Sequence, residues 1–413
     1  VTNPAAGELA RFQDIPVPRR DIVLALLEEF APQVAPDDLA QLRALCELLV
    51  KIYHLEFHAE LESMKRAYAP FNPDLESENF DMSNTSADER AEQLVADLRK
   101  VLERGNYECL TDGDLNRALT ERSLFALDLE VDTSVYDEMV LYARGETLRK
   151  VDTPKWFGLS KQTLDVATFD RVCMFVRFKT HEQLVRERGQ FKKPRFEPGT
   201  TILKLFRNIP RADLEILFPN CDPQMRVIDK VFFGVPAVVG GIPVLFKLAP
   251  LAILVAVWLG LRNEQVDTAS LVTGLTGLAV LGSYLFRQWG KFKNRRMLFI
   301  KELSENLYFR NLDNNEGVLT RLVDEAEEEE CKEALLAYFF LLRHPEGLGS
   351  EQLDAEVEKW LETRFGISID FEVSDGIAKL VNLGLVREEA GRYTVCPPAE
   401  GLAQLRKRWD ALG

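Results

Sequence analysis

Residues 268–286 read TASLVTGLTGLAVLGSYLF and carry no charged side chain. A bilayer span needs roughly 20 mostly apolar residues, and this stretch is about that long. Upstream, residues 241–261 (GIPVLFKLAPLAILVAVWLGL) hold a single charge, Lys247. A polar hinge, RNEQVD at 262–267, separates the two. Hydropathy reads this as a helical hairpin that enters a bilayer and returns; the alternative is a buried hairpin in a large soluble core. Lys247 lies near the inner end of its span, where it snorkels to the headgroups or serves as an intramembrane functional lysine. Residues 231–241 are apolar but broken by Gly and Pro, and read equally as interfacial, re-entrant or a third short span.

Charge sets the orientation. Arg287, Lys291, Lys293, Arg295 and Arg296 follow the second span, and Arg226 and Lys230 precede the first. The hinge sets only Arg262 against Glu264 and Asp267. Lys and Arg stay on the cytoplasmic side, so both flanks read as cytoplasmic and the five cations after the second span as facing membrane lipid. Small residues recur every four positions at Ala252, Ala256 and Gly260, and again at Ser270 and Gly274 with Thr273 and Gly277. Such stripes let helix backbones approach closely, either within the hairpin or in a homo-oligomer.

The chain has 413 residues and a formal net charge of −15, a balance that disfavours nucleic acid as the main partner. Six scattered cysteines, with no CxxC pair, read as free thiols of a reducing compartment. The opening VTNPAAGELARFQDIP has neither the look of a secretory signal nor that of a transit peptide.

Five regions follow: a helical N-terminal region (1–105), a small α+β domain (106–228), the hairpin (229–290), an amphipathic connector (291–330) and a winged-helix-like module (331–413). In the first, Asp21 and Asp37 or Asp38 read as helix caps. Apolar positions 42, 45, 46, 49, 52, 53, 57, 61, 64 and 68 form one helical stripe. Glu60 points into that stripe and Glu56 lies at its edge; a carboxylate placed there must find a partner or take a raised pKa. His54, His58 and Glu62 share the same helix at four-residue spacing, the geometry of a helical divalent-metal site, or else of a solvated polar edge. In the second region, strands read over 125–131, 138–144, 171–178 and 201–206, with a hairpin turn at 144–147 (RGET). Between Pro210 and Pro219 lie about two turns of amphipathic helix with Asp213 and Glu215 as candidate functional acids, although an offset of two sets them on different faces. The acidic run 324–330 reads as a solvated helical face. In the last region, three helices and a hairpin turning near Gly391 resemble a winged helix. Between 346 and 396 there are 11 acids against 5 bases, and the recognition-type helix holds only Lys379. Docking to a protein therefore suits this module better than docking to DNA.

The blocks YHLEFHAELESMKRAYAPFNPD (53–74), LKLFRNIPRADLEILFP (203–219), LYFRNLDNNEGVLTRLVDEAEEEECKEALLAYFFLL (307–342) and IDFEVSDGIAKLVNLGLV (369–386) carry a family likeness. With them the chain resembles domain-of-unknown-function family 3754, which includes transmembrane-143-type proteins of organelles. The resemblance implies two membrane spans and no established activity or catalytic residues. The chain departs from the organelle members in lacking a presequence, which fits a bacterial inner membrane better.

The expected fold is thus α+β and mainly helical: a membrane protein with a two-span hairpin, a helical and α+β cytoplasmic region before it and a winged-helix-like module after it. The expected function is a membrane-anchored binding or adaptor protein that holds a protein partner through its C-terminal module. The alternatives are a metal-dependent enzyme or metal-binding protein built on His54, His58 and Glu62, and a membrane-tethered winged-helix regulator.

Overall fold

The computed structural model describes residues 14–32, 34–75, 87–111, 113–114, 128–155, 160–188, 197–220, 222–224 and 268–412. Two compact units divide the chain. The first joins Val1–Ala118, Thr133–Arg211 and Arg310–Gly413; the second joins Leu119–Asp132 and Ala212–Phe309.

The first unit begins with helices α1 (Arg19–Phe30), α2 (Pro36–Tyr68) and α3 (Ala87–Arg104). Pro36 opens α2 with its ring-fixed φ, and Asp37 and Asp38 in the first turn complement the helix dipole. The caps themselves are Pro18 and Ala35, so the aspartates stabilise these helices through the dipole, not as caps. Every apolar position of the α2 stripe is buried. A five-stranded antiparallel sheet follows, in the order β1-β3-β4-β5-β7. Its strands are β1 (Glu108–Cys109), β3 (Tyr136–Lys155), β4 (Ser160–Phe178), β5 (Thr201–Pro210) and β7 (Asn311–Asn314). In β4 the run 172–176 (VCMFV) is buried at every residue, the signature of a strand covered on both faces. The turn expected at 144–147 is absent. β3 continues through it, and pairing passes from Arg144↔Arg171 to Glu146↔Phe169 and on to Lys155↔Ser160. Gly145 answers the turn signal differently, with φ +69° inside the strand. A Cβ there would lie 3.0 Å from Cβ of Asp170, so only glycine fits without strain.

A short helix, α4 (His181–Arg188), precedes β5, and the second unit contributes a helix, α5 (Thr268–Arg310), and a two-stranded pairing of β2 (Asp128–Glu130) with β6 (Asp222–Gln224). The first unit resumes with α6 (Glu316–Leu342), α7 (Ser350–Phe365), α8 (Val373–Asn382), the hairpin β8 (Val386–Glu389) and β9 (Arg392–Val395), and α9 (Pro398–Leu412). Ala390 and Gly391 both take positive φ at the hairpin tip, where the twist of paired strands demands it. The helix and hairpin order expected after residue 331 is present, but its first helix is the second half of α6. α6 packs against α1, α2, α3, α7 and α8, and α9 packs along α2. One apolar core joins α1, α2 and α3 to the C-terminal helices.

Two further expectations are corrected. The fold is mixed helix and sheet, and among the described residues no helix is long and apolar enough to cross a membrane. The segment 241–261 lies outside the described residues. The segment 268–286 is the start of the 43-residue α5. Eight of its nineteen residues are Ser, Thr or Gly, and the helix runs straight on through Arg287 and Lys293. The inner-membrane location with both termini cytoplasmic rested on that hairpin, and nothing else in the structure bears on it. The second correction concerns 324–330. The run is helical but not solvated: Glu327, Glu329 and Glu330 are buried, together with Lys332 and Glu333.

Candidate functional site

Buried charge is rare unless paired, and α6 holds a column of it. Each carboxylate meets at least one donor from outside α6. Glu327 accepts from Arg19 Nη1 at 3.2 Å and faces His54 Nδ1 at 3.0 Å. Glu329 accepts from Lys332 at 2.7 Å and from the backbone N–H of Ile15 at 3.2 Å. Lys332 also donates to the carbonyl of Ile15 at 2.6 Å. Glu330 takes a two-pronged bond from Arg104, whose guanidinium also lies 3.9 Å from the centre of the Phe57 ring. Glu325 accepts from Tyr107 at 2.6 Å and from Arg171 at 3.3 Å. Glu333, 1 % exposed, is bound by Lys379 and by Asn106 Nδ2 at 2.9 Å.

Burial pushes the carboxyls of Glu329 and Glu333 above the usual range, against the pull of Lys332 and Arg144 on the first and of Lys379 and Asn106 on the second. Burial also raises the thiols of Cys46 and Cys331 to about 12, which leaves them protonated and poor nucleophiles. Cys46, Cys109, Cys173, Cys331 and Cys396 are free thiols.

Two concave surfaces border this column. A polar pocket of about 350 Å³ lies where α2, α3, α6, α8 and α9 converge. Glu56 and Glu60 both line it. Glu60 is bonded by Lys100 at 2.9 Å and by Arg104, and Glu56 by Arg408 through Nε at 2.9 Å and Nη2 at 2.7 Å. The demand for a partner is met by pairing. Tyr53, also on the wall, has its phenol pushed well up by burial and by the Glu330 charge, so it stays a hydroxyl at neutral pH. Four cations and four carboxylates face one another here, and the pairs close on themselves.

The second surface is a groove of about 660 Å³ between α1 and α2. Val23, Leu24, Leu27 and Val50 give it an apolar floor, and Arg19, Arg20, Arg43 and Lys51 stand around it with Glu47 and Glu328. Arg19 is taken up by Glu327, and Arg20, Arg43 and Lys51 against Glu47 and Glu328 leave the rim net positive, unlike the balanced pocket. Its volume falls in the usual range for ligand sites. Sequence reasoning missed it because Arg20 on α1 and Arg43 and Lys51 on α2 are brought to one groove by the packing of two helices, which local spacing does not show.

The other sequence candidates are placed as follows. His54 and His58 stack with ring centres 6.4 Å apart. His54 turns to Glu327, and Glu62 to Lys65 at 3.4 Å. Among the described residues no group of three or more His, Cys, Asp or Glu is arranged to hold a metal ion. Asp213 is buried with φ −118° and ψ 17° inside the 3-10 stretch Arg211–Leu217, and Glu215 is half-buried in the same stretch. Arg287 and Lys293 are exposed on α5, while the side chains of Lys291, Arg295 and Arg296 lie outside the described residues. Lys379, the one base of the recognition-type helix, is turned inward to Glu333.

Residues 136–317 match the model of a family described as "Protein of unknown function (DUF3754)". The matched stretch takes in β3, β4, β5, α5 and the start of α6, and does not mark out the transmembrane-143-type members. No solved structure matches the chain.

Proposed function

We propose that this chain is a binding protein of adaptor type, and that the groove between α1 and α2 receives an amphipathic helix of a partner protein bearing acidic residues. The observation that carries this reading is the apolar floor of Val23, Leu24, Leu27 and Val50 set inside a net positive rim. Helix-in-groove recognition uses such a floor for apolar anchors at i, i+3, i+4 and i+7. The rim adds on-rate and selects the sign of the partner. The closed salt bridges of the polar pocket support a structural role for that pocket beside the binding groove.

A photo-crosslinking side chain at Leu24, which is exposed, tests the proposal. A control probe at Val185 on α4, also exposed, measures background. The expected result is a protein adduct specific to Leu24 that disappears in the Arg43→Glu/Lys51→Glu variant. An adduct insensitive to charge reversal, or equal at both probe sites, overturns the groove as the docking surface.

A further inference from the structure

The polar pocket where α2, α3, α6, α8 and α9 converge holds groups that its salt bridges leave unused. Tyr53 lies on its wall and is 4 % exposed, yet its hydroxyl meets no hydrogen-bond partner among the described residues. Buried hydroxyls find a partner in nearly every fold, so an idle one bordering a cavity points to what enters the cavity. Asp375 is the second such group. Its carboxylate accepts no hydrogen bond among the described residues, and its one ion pair there is with Lys379 at 4.0 Å, an ammonium already bound to Glu333. Lys100 is half-used: it gives one N–H to Glu60 at 2.9 Å, and an ammonium has two more. Helical spacing aims these groups at one cavity. Tyr53 shares a face of α2 with Glu56 and Glu60, and Asp375 shares a face of α8 with Ala378 and Asn382, each set three and then four residues apart.

We propose that this cavity binds a small dipolar molecule of the free amino-acid type, with Asp375 accepting from its ammonium and Tyr53 and Lys100 donating to its carboxylate. Charge balance selects that class. Glu56 is matched by Arg408, Glu60 by Lys100 and Arg104, and Glu330 by Arg104. A lone anion would have to displace one of these carboxylates, and a lone cation one of their Lys or Arg partners. A molecule with one charge of each sign leaves the sum unchanged and breaks no bridge. Among the described residues no group of three or more His, Cys, Asp or Glu is arranged for a metal ion. Burial and the Glu330 charge keep the Tyr53 phenol protonated at neutral pH, so it serves a carboxylate as a donor. At about 350 Å³ the cavity lies at the small end of the range for ligand sites, and Ala378 and Leu383 give it an apolar stretch of wall for a side chain. The salt bridges keep their structural part: they fix the walls before a ligand arrives, which lowers the ordering cost of binding. A bound molecule joins α2 and α3 to α8 and so stabilises the first unit. The groove between α1 and α2 plays no part in this site.

The test is thermal unfolding of the full chain with the common L-amino acids at millimolar concentration, one at a time. Acetate alone and methylamine alone serve as single-charge controls. The expected result is a midpoint raised by about 2 °C or more with at least one amino acid, as a ligand well above its Kd gives, and no rise with either control. Calorimetric titration of that amino acid then reads the affinity. Tyr53→Phe should weaken it about fivefold through one lost hydrogen bond, and Asp375→Asn at least about tenfold through a lost charged one. Tyr53→Phe removes an idle hydroxyl and Asp375→Asn only the 4.0 Å pair, so both should keep the parent's circular dichroism spectrum. No shift with any amino acid, an equal shift with acetate or methylamine, or an affinity unchanged in both variants overturns the inference.

Discussion

α6 and α5 invert each other. α6 carries the acidic run and lies inside the first unit; α5 carries the longest uncharged run among the described residues and shows Phe286 and Trp289 to solvent. Composition alone orders them the other way. The difference teaches that burial of a helix follows the supply of partners around it. Five carboxylates of α6 enter the fold because Arg19, Arg104, Lys332, Lys379, Tyr107, Asn106 and a backbone amide are aimed at them. On α5, Val272, Leu275 and Phe286 are each more than half exposed. A helix wrapped by donors tolerates charge, and composition alone does not say which helix that is.

The contrast breaks most severely at Lys332. Replacing it by Ala leaves Glu329 buried without its closest cation. Removing one partner of a buried pair costs on the order of 3–5 kcal/mol, measurable by denaturant unfolding. Glu329→Met with Lys332→Met should cost less than Lys332→Ala, since no charge is then stranded. A double variant as unstable as the single one would show that the pair stabilises the unit in its own right.

Gly145→Ala tests the strand that passes over this column. A positive φ and a close approach to Asp170 should cost about 1–2 kcal/mol, read as a lower unfolding midpoint. An unchanged midpoint would mean that the strand relaxes at no cost.

Glu333→Gln sharpens the comparison through pH. Glu333 faces Lys379, Asp375 and Asn106, and its carboxyl is raised above its unfolded value. The folded state therefore holds that proton more tightly than the unfolded one. The resulting stabilisation is complete below the usual carboxylate range and is lost as pH rises through the raised value. Glu333→Gln should flatten this fall, by at most about 1.4 kcal/mol per pH unit for one proton. Parallel stability–pH curves for parent and variant would contradict it.

On α5, Leu275→Ser should change the unfolding free energy by no more than about 0.5 kcal/mol, as an exposed position predicts. A loss of several kcal/mol would place Leu275 in a core.

Much of the first unit was legible at particular residues. The α2 stripe announced itself because ten apolar side chains keep one helical period, and all ten are buried. Glu60 was legible as a demand for a partner, but Arg104 and Lys100 as the answer were not. They lie 44 and 40 residues away on another helix, a distance that local periodicity does not span. The burial of Glu327 to Glu333 was illegible for the same reason, its cations being scattered from Arg19 to Lys379. The hairpin at 144–147 misled because positive φ at a glycine serves a bent strand as well as a turn. The membrane reading is overturned by the helices themselves, since among the described residues none is long and apolar enough to cross a membrane.

The grip of Glu329 and Lys332 on the backbone of Ile15 carries a consequence for synthesis. The first described residues of the chain are fastened by residues made more than 300 positions later. When Tyr68 leaves the ribosome, the apolar face of α2 has neither α6 nor α9 to cover it. At about 5–20 residues per second, the wait until residue 342 is translated is roughly 15–55 s. Throughout that interval only α1 and α3 are at hand to cover the stripe from Leu42 to Tyr68. The unit therefore locks only when its C-terminal quarter arrives.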